Sequence, residues 1–373
     1  MARRIMIYVQ HLLGVGHLKR MALLANDLVK QSAEVMLVSG GFPALHISID
    51  QRVRFIQLPP VRTADASFSG LVDQDGNPPD DSFRGRRVKA LLEAFDYFSP
   101  DTLVVELFPL GRRQMRFELL PLLQRARPTE IRIVCSVRDI VNQRPKREPE
   151  ALDWLNRYFD LLLVHGDARL TPISDSVPGI GAFSGTVHHT GYISDVEEVS
   201  VSRRSGEILV TAGGGAAGEA LFDAAAGASR LHDGPEIWRI RHGMQVSPAK
   251  VGAWRKQAHP AAVFEPVAPD FREKLHAAAL SISQFGYNTA TDLMHAGTRC
   301  LIVPYEGAGE TEQTRRAEAF HETGIAVLPE SGLSTGHLAG AVRQALRSPA
   351  PDFGNVKLNG LATSTRILMG GQN

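Results

Sequence analysis

The sequence predicts an α/β protein of two Rossmann-like domains, each a parallel sheet wrapped by helices, facing one another across an interdomain cleft. Three observations predict it. An apolar run, a glycine loop and a helix-period pattern open the chain over 4–28, and the same succession recurs from Glu207. Short apolar runs without strict alternation return at helical intervals in between, which suits parallel strands covered on both faces. With 373 residues, the chain also exceeds what one hydrophobic core usually serves.

The first series starts with the strand-like run 4–10, followed by His11-Leu-Leu-Gly-Val-Gly-His-Leu-Lys-Arg20 and the helical spacing Met21, Leu24, Leu28. Further strands are expected at 34–39, 53–58, 102–107, 131–137 and 161–165, and helices at 83–98, 112–127 and 150–158. The polar stretch 62–81, rich in Gly, Pro and Asp, reads as a long mobile loop. His189-Thr-Gly-Tyr-Ile193 reads as the last element of a domain spanning 1–193, and 194–206 as a charged linker. The second domain, 207–350, opens on Glu207-Ile-Leu-Val-Thr-Ala-Gly-Gly-Gly-Ala-Ala217 and continues with strands at 237–241, 262–264, 280–283, 300–304 and 325–328. The tail, 351–373, is expected to hold a helix that crosses back to the first domain.

A formal net charge of +1 argues against a long-range field for nucleic acid. Cys135 and Cys300 are the two cysteines, each inside an apolar run, so no disulfide framework is expected and a reducing cytosolic setting is favoured. The apolar run near Met1 is too short for a signal peptide, and no stretch reaches the length that spans a bilayer. No metal-ligand spacing is present.

The densest cluster of signals is Ser281-Ile-Ser-Gln-Phe-Gly-Tyr-Asn-Thr-Ala-Thr-Asp292, a buried strand running into a glycine turn and a helix. Unpaired N–H groups and the helix dipole at such a start favour an anion, and a diphosphate suits it. Gly286-Tyr-Asn-Thr289, Asp292, Ala296-Gly297, Val303-Pro304 and Glu312-Gln313 resemble the C-terminal domain of family 28 glycosyltransferases. Phe108-Pro-Leu-Gly-Arg-Arg113, Phe117-Glu-Leu-Leu-Pro121, Ser136-Val-Arg-Asp139 and Val164-His-Gly-Asp167 resemble, more closely, a group of bacterial predicted glycosyltransferases. The resemblance implies a GT-B-type fold and inverting transfer of a sugar, an N-acetylhexosamine by preference, from a UDP-linked donor to a hydroxyl acceptor. It implies no metal or other cofactor. It leaves the acceptor open, a lipid-linked one with peripheral membrane contact included.

In open parallel sheets the ligand site lies at the carboxyl ends of the strands. Gly14, Gly16 and His17 follow the first strand, Glu106 the fourth, Arg138 and Asp139 the fifth, and His165 the sixth. His17 matches the histidine that ends the family's glycine loop, which implies a general base; a neutral imidazole can take a hydroxyl proton at pH 7. Read alone, it is as well a helix-start residue hydrogen-bonded locally. Glu106 and Asp139 are rival bases, or scaffolding paired with Arg112 or Arg138. Gly14, Gly16, Arg112, Arg138 and His165 form the expected acceptor side. On the donor side, Gly213, Gly214, Gly215 and Ala216 resemble the loop that approaches the phosphates, and Gly286, Tyr287, Asn288 and Thr289 the helix start. Asp292 stands where the family carries a ribose-binding Glu, one methylene longer. Gln313 matches a glutamine that approaches the donor sugar, and Glu310 and Val267 complete the set. The leucines and arginines of 111–127 suit either a packed helix or an anionic membrane, and Arg112 or Arg113 an acceptor phosphate. Two further readings remain: a UDP-sugar hydrolase, whose loop Gly14-Val-Gly-His-Leu-Lys-Arg20 resembles, and a non-catalytic nucleotide-sugar-binding subunit.

Overall fold

The computed structural model describes residues 2–64, 70–142, 145–195, 205–212, 218–244, 246–268, 270–307 and 310–371. The chain divides into two compact units, Met1–Asp195 with Lys357–Asn373, and Val196–Val356.

Unit 1 runs β1 (Arg4–Val9), α1 (Gly16–Lys30), β2 (Glu34–Ser39), β3 (Arg54–Gln57), β4 (Arg62–Thr63), β5 (Leu71–Val72), α2 (Asp81–Phe98), β6 (Thr102–Glu106), α3 (Arg116–Ala126), β7 (Arg132–Arg138), α4 (Glu148–Tyr158), β8 (Leu161–His165), α5 (Ile173–Ser176) and β9 (Thr186–His189). Seven strands form a sheet in the order β3-β2-β1-β6-β7-β8-β9, and every pairing in it is parallel. The pleat sends successive side chains of β1 to opposite cores: Met6 and Tyr8 to one, Ile5, Ile7 and Val9 to the other. Helix α1 buries Leu18, Met21, Leu24 and Leu28, spaced for one helical face, against the second core. Leu119, Leu122 and Leu123 of α3 are fully buried in the first core, so these leucines of 111–127 take the packed-helix role.

A buried polar network ties the strand ends on the β2 side of β1 together. Arg87 on α2 makes a bidentate ion pair with Glu118 on α3, 2.7 Å at both contacts, and also donates to Gln10 Oε1 and to the Gly40 and Pro59 carbonyls. Tyr8 donates to Glu118 Oε1 at 2.5 Å. A side chain at position 40 would overlap Gln10 and Arg87, which is why the loop after β2 carries Gly40 there.

Unit 2 runs β10 (Glu207–Thr211), α6 (Glu219–Arg230), β11 (Ile237–His242), α7 (Pro248–Gln257), β12 (Val263–Pro266), α8 (Phe271–Ala277), β13 (Leu280–Ser283), α9 (Tyr287–Ala296), β14 (Cys300–Ile302), α10 (Glu312–Ala319), β15 (Ala326–Val327) and α11 (Thr335–Arg347). Its parallel sheet has the order β12-β11-β10-β13-β14-β15. Trp254 packs against Phe222 and Phe264 in its core, with the indole N–H donated to Asp223 at 2.5 Å. The last helix, α12 (Gly360–Leu368), belongs to unit 1. Ile367 and Leu368 join the core under α1, Thr365 donates to Asp27 at 2.6 Å, and Arg132 donates to the Ile367 carbonyl at 2.9 Å.

Two expectations about elements change. The stretch 62–81 is no simple loop: β4 and β5 pair antiparallel within it, Thr63 donates to the Leu12 carbonyl, and Asp80 caps α2 by accepting from Phe83 N at 2.7 Å. The final strand of unit 1 ends at His189 rather than beginning there. Residues 190–194 follow it as buried irregular chain, with Tyr192 N donating to the Lys357 carbonyl.

Candidate active site

Both sheets reverse their winding once, between β1 and β6 in unit 1 and between β10 and β13 in unit 2. Loops leaving the carboxyl ends diverge at such points, and this is where doubly wound folds bind ligands.

In unit 1, α1 starts at this point and His17 is its second residue. His17 Nδ1 lies 2.6 Å from Glu106 Oε1. Arg20, one turn along α1, donates to the same oxygen at 2.5 Å. Glu106 ends β6 and is fully buried. Burial brings the His17 pKa down to about 3, with Arg112 and Arg138 pushing the same way and Glu106 opposing. For Glu106, burial pushes upward but His17, Arg20 and Arg112 outweigh it, to about 2. At pH 7 the ring is therefore neutral and the carboxylate charged. A neutral imidazole beside a carboxylate carries its proton on the facing nitrogen, which leaves the Nε2 lone pair available. Nε2 has no hydrogen bond among the described residues, and the side chain is 14% exposed.

The other expected residues of unit 1 lie around this pair. Arg112 donates from Nε to the Gln10 carbonyl at 2.8 Å. Arg138 ends β7, in register with His165 at the end of β8. A methyl group at Gly14 would meet nothing within 4 Å, so no protein contact demands a glycine there, and Gly16 opens α1. His165 is enclosed: its ring bonds Ser136 Oγ at 2.7 Å and Thr190 Oγ1 at 3.0 Å, and fastens β8 to β7 and to the chain after β9. Asp139 is also buried, accepting from Ile140 N at 2.9 Å and from the Tyr192 hydroxyl. Sequence reasoning missed Arg20, although its spacing of three residues from His17 puts both on one face of a helix.

Burial lowers the His165 pKa to about 3, and this gives a stability prediction. The unfolded chain takes up that proton near the ordinary value of 6.5, while the folded chain resists until about 3. Stability is full above 6.5 and is lost between 6.5 and 3 as pH falls, at up to about 1.4 kcal/mol per pH unit. Urea unfolding from neutral pH down to about pH 5, above the ordinary carboxylate range, should show this loss, and His165→Gln should flatten the slope by that amount. An unchanged slope in the variant would mean that His165 titrates normally.

In unit 2 the loop leaving β13 carries Gln284 and Phe285, and Gly286 precedes α9 in an extended conformation with no side-chain cap. Gly286 has no side chain to cap the first N–H groups of α9, and a helix start of this kind has the electrostatics an anion needs. A methyl group on Gly286 would meet nothing within 4 Å. Gln313 on α10 clamps the turn by accepting from Phe285 N at 2.9 Å and Tyr305 N at 3.1 Å. Its carbonyl oxygen is thereby fixed, and its NH2 group makes no hydrogen bond among the described residues. Arg316, fully buried, adds a bond to the Phe285 carbonyl at 2.7 Å and pairs with Glu312. Asp292 faces α8, where Arg272 Nε donates to it at 2.8 Å. Glu310 accepts from Glu312 N, and Val267, just beyond β12, is half-exposed. Arg272 and Arg316 carried no sequence signal of their own. The expected loop Gly213, Gly214, Gly215 and Ala216 lies outside the described residues, as does much of the 194–206 linker.

Residues 209–355 match the glycosyltransferase family 28 C-terminal domain. Unit 2 is similar to that domain over nearly its whole length. The match takes in β10 through α11 and so contains the Gly286 helix start, Asp292 and Gln313. A UDP-N-acetylglucosamine–N-acetylmuramyl-(pentapeptide) pyrophosphoryl-undecaprenol N-acetylglucosamine transferase of Rhizobium rhizogenes is 28% identical over 145 residues, which cover 38% of this chain and 39% of that protein. The chain thus aligns with well under half of that relative. The structure of MurG from Acinetobacter baumannii superposes with a TM-score of 0.64 at 14% identity, covering 99% of each chain. A putative UDP-N-acetylglucosamine 2-epimerase from Listeria monocytogenes reaches 0.60 at 15% identity, covering 99% of this chain and 95% of that one. At such identities the overlap shows the fold, two Rossmann-like domains of GT-B type, and the pairing of a transferase with an epimerase shows that the fold alone does not choose the reaction.

Proposed function

We propose that this chain is a metal-independent, inverting glycosyltransferase that moves a sugar from a UDP-linked donor to a hydroxyl acceptor. The observation that carries the reading is the family 28 match over the residues that build the uncapped start of α9. The Rhizobium relative is named for transferring N-acetylglucosamine from UDP-N-acetylglucosamine, which favours UDP and an N-acetylhexosamine here.

The step needs one proton acceptor and one cradle for negative charge. The acceptor oxygen attacks the anomeric carbon as its proton passes to His17 Nε2, and the bond from that carbon to the diphosphate breaks. The diphosphate takes the bonding electrons, and the N–H groups at the start of α9 meet the charge that develops. Glu106 positions the ring and stabilises it once protonated, without touching the acceptor. Arg20, held on the same Glu106 oxygen, keeps that carboxylate ionised. Gln313 offers its NH2 to the sugar hydroxyls, and Asp292 its second carboxylate oxygen to the ribose.

Calorimetric titration with UDP and UDP-N-acetylglucosamine tests the donor half. Asp292→Ala is expected to weaken UDP about tenfold, the value of one hydrogen bond to a charged group. Affinity equal to the parent's would remove Asp292 from the ribose site. Release of UDP from the donor at one rate with and without an acceptor-bearing cell extract would make the chain a hydrolase instead.

A further inference from the structure

Resting on the transferase reading, we propose that the acceptor carries an anionic group, a carboxylate or a phosphate, and that Arg112 is the residue that holds it. The loop from Glu106 to Arg112 that carries this side chain is tightly constrained. Leu107 and Arg112 both adopt left-handed backbone conformations, φ 66° and 55°, which residues with side chains rarely take. Each costs of order 1 kcal/mol and persists where the surroundings enforce it. The Gly111 position is closed to any side chain by Leu107, which packs where a Cβ would go.

The held side chain is a cation without a direct ion pair among the described residues. Arg112 spends Nε on the Gln10 carbonyl, and its two terminal nitrogens make no ion pair or hydrogen bond among the described residues. The neighbouring carboxylate, Glu106, is engaged by His17 and Arg20. Arg113, the adjacent arginine, is committed elsewhere, to Glu150 at 2.6 and 3.0 Å. A guanidinium held half-buried with a carboxylate near it but no direct ion pair has lost more hydration than it has regained, and its pKa falls to about 10 through burial, with Glu106 opposing the fall and Arg138 and Arg20 adding to it. Its terminal N–H groups form a fork that fits a carboxylate or a phosphate.

The placement links recognition to chemistry. Arg112 is among the charges that hold the His17 ring neutral. An anion on Arg112 cancels that influence, so an acidic acceptor raises the basicity of the group that deprotonates it.

The test titrates the full chain with glucuronate, glucose 6-phosphate and glucose in the presence of saturating UDP, which keeps phosphate from the start of α9. The proposal expects at least one acidic sugar to bind about tenfold or more tightly than glucose, as one charge-assisted contact provides. Glucuronate and glucose 6-phosphate distinguish the two sources of the anion. Arg112→Gln should abolish the preference, Arg112→Lys should restore part of it, and Arg113→Gln should keep it. Equal binding of all three sugars, or a preference that survives Arg112→Gln in a variant that melts like the parent, overturns the proposal. The UDP titration itself tests the transferase reading: a parent chain that ignores UDP but still prefers acidic sugars through Arg112 would fail that reading and keep the anion site.

Discussion

Replacing His17 with Gln is expected to lower the rate of UDP release in the presence of acceptor by about 10²- to 10⁴-fold, the usual contribution of a positioned general base. The affinity for UDP should stay within about twofold, because every proposed donor contact lies in unit 2 and a base that acts on the acceptor proton contributes to the transition state rather than to donor binding. Glu106→Gln should reproduce much of the loss by a different route. A carboxamide in that place can offer an N–H to Nδ1, which favours the tautomer with its proton on Nε2 and removes the lone pair. Parallel measurement of turnover and of UDP affinity checks both variants. If His17→Gln turned over like the parent, the base would have to be sought elsewhere; if it lost UDP binding as well, His17 would belong to the donor site.

Arg87→Met is expected to cost about 3–5 kcal/mol, because it strands the fully buried Glu118 carboxylate without its countercharge. The single change also removes the donors that hold Gln10 Oε1 and the Gly40 and Pro59 carbonyls. For a body of this size the melting temperature should fall by about 2–4 °C per kcal/mol. The double variant Arg87→Met with Glu118→Leu should recover most of the loss, since apolar replacement of both partners of a buried pair is often neutral. Thermal and urea unfolding of the parent, the single and the double variant decide it. A single variant as stable as the parent would overturn the structural role given to this pair.

The strands were legible where burial is complete. Leu161–His165 and Leu280–Ser283 fall where the apolar runs put them, since both faces of those strands are covered and every position but His165 is apolar or small. The hairpin of β4 and β5 was not legible, because two-residue strands carry no period. The start of α2 at Asp81 instead of Phe83 is a capping effect: Asp80 supplies the cap while the first apolar helical residue comes later.

The site divides in the same way. That residues 17 and 106 would lie at the carboxyl ends of strands followed from the rule about such ends. That they share a hydrogen bond did not, because the contact spans 89 residues and depends on β6 lying beside β1. Arg112 and Arg113 are indistinguishable as letters; Glu150 on α4 separates them. The position of Asp292 was readable and its pairing was not, since Arg272 reaches it from another helix.

One consequence follows from the return of α12 to unit 1. Residues 357–371 are translated after the whole of unit 2, yet Ile367 and Leu368 close the apolar surface against which α1 packs, and α1 carries His17 and Arg20. On the ribosome, the body made first must therefore wait, with that surface bare and open to chaperones, until the body made second has been synthesised. A protease nick between 356 and 360 would leave α12 held by its contacts with unit 1 alone, and its loss would reopen the surface beneath the helix that carries His17 and Arg20.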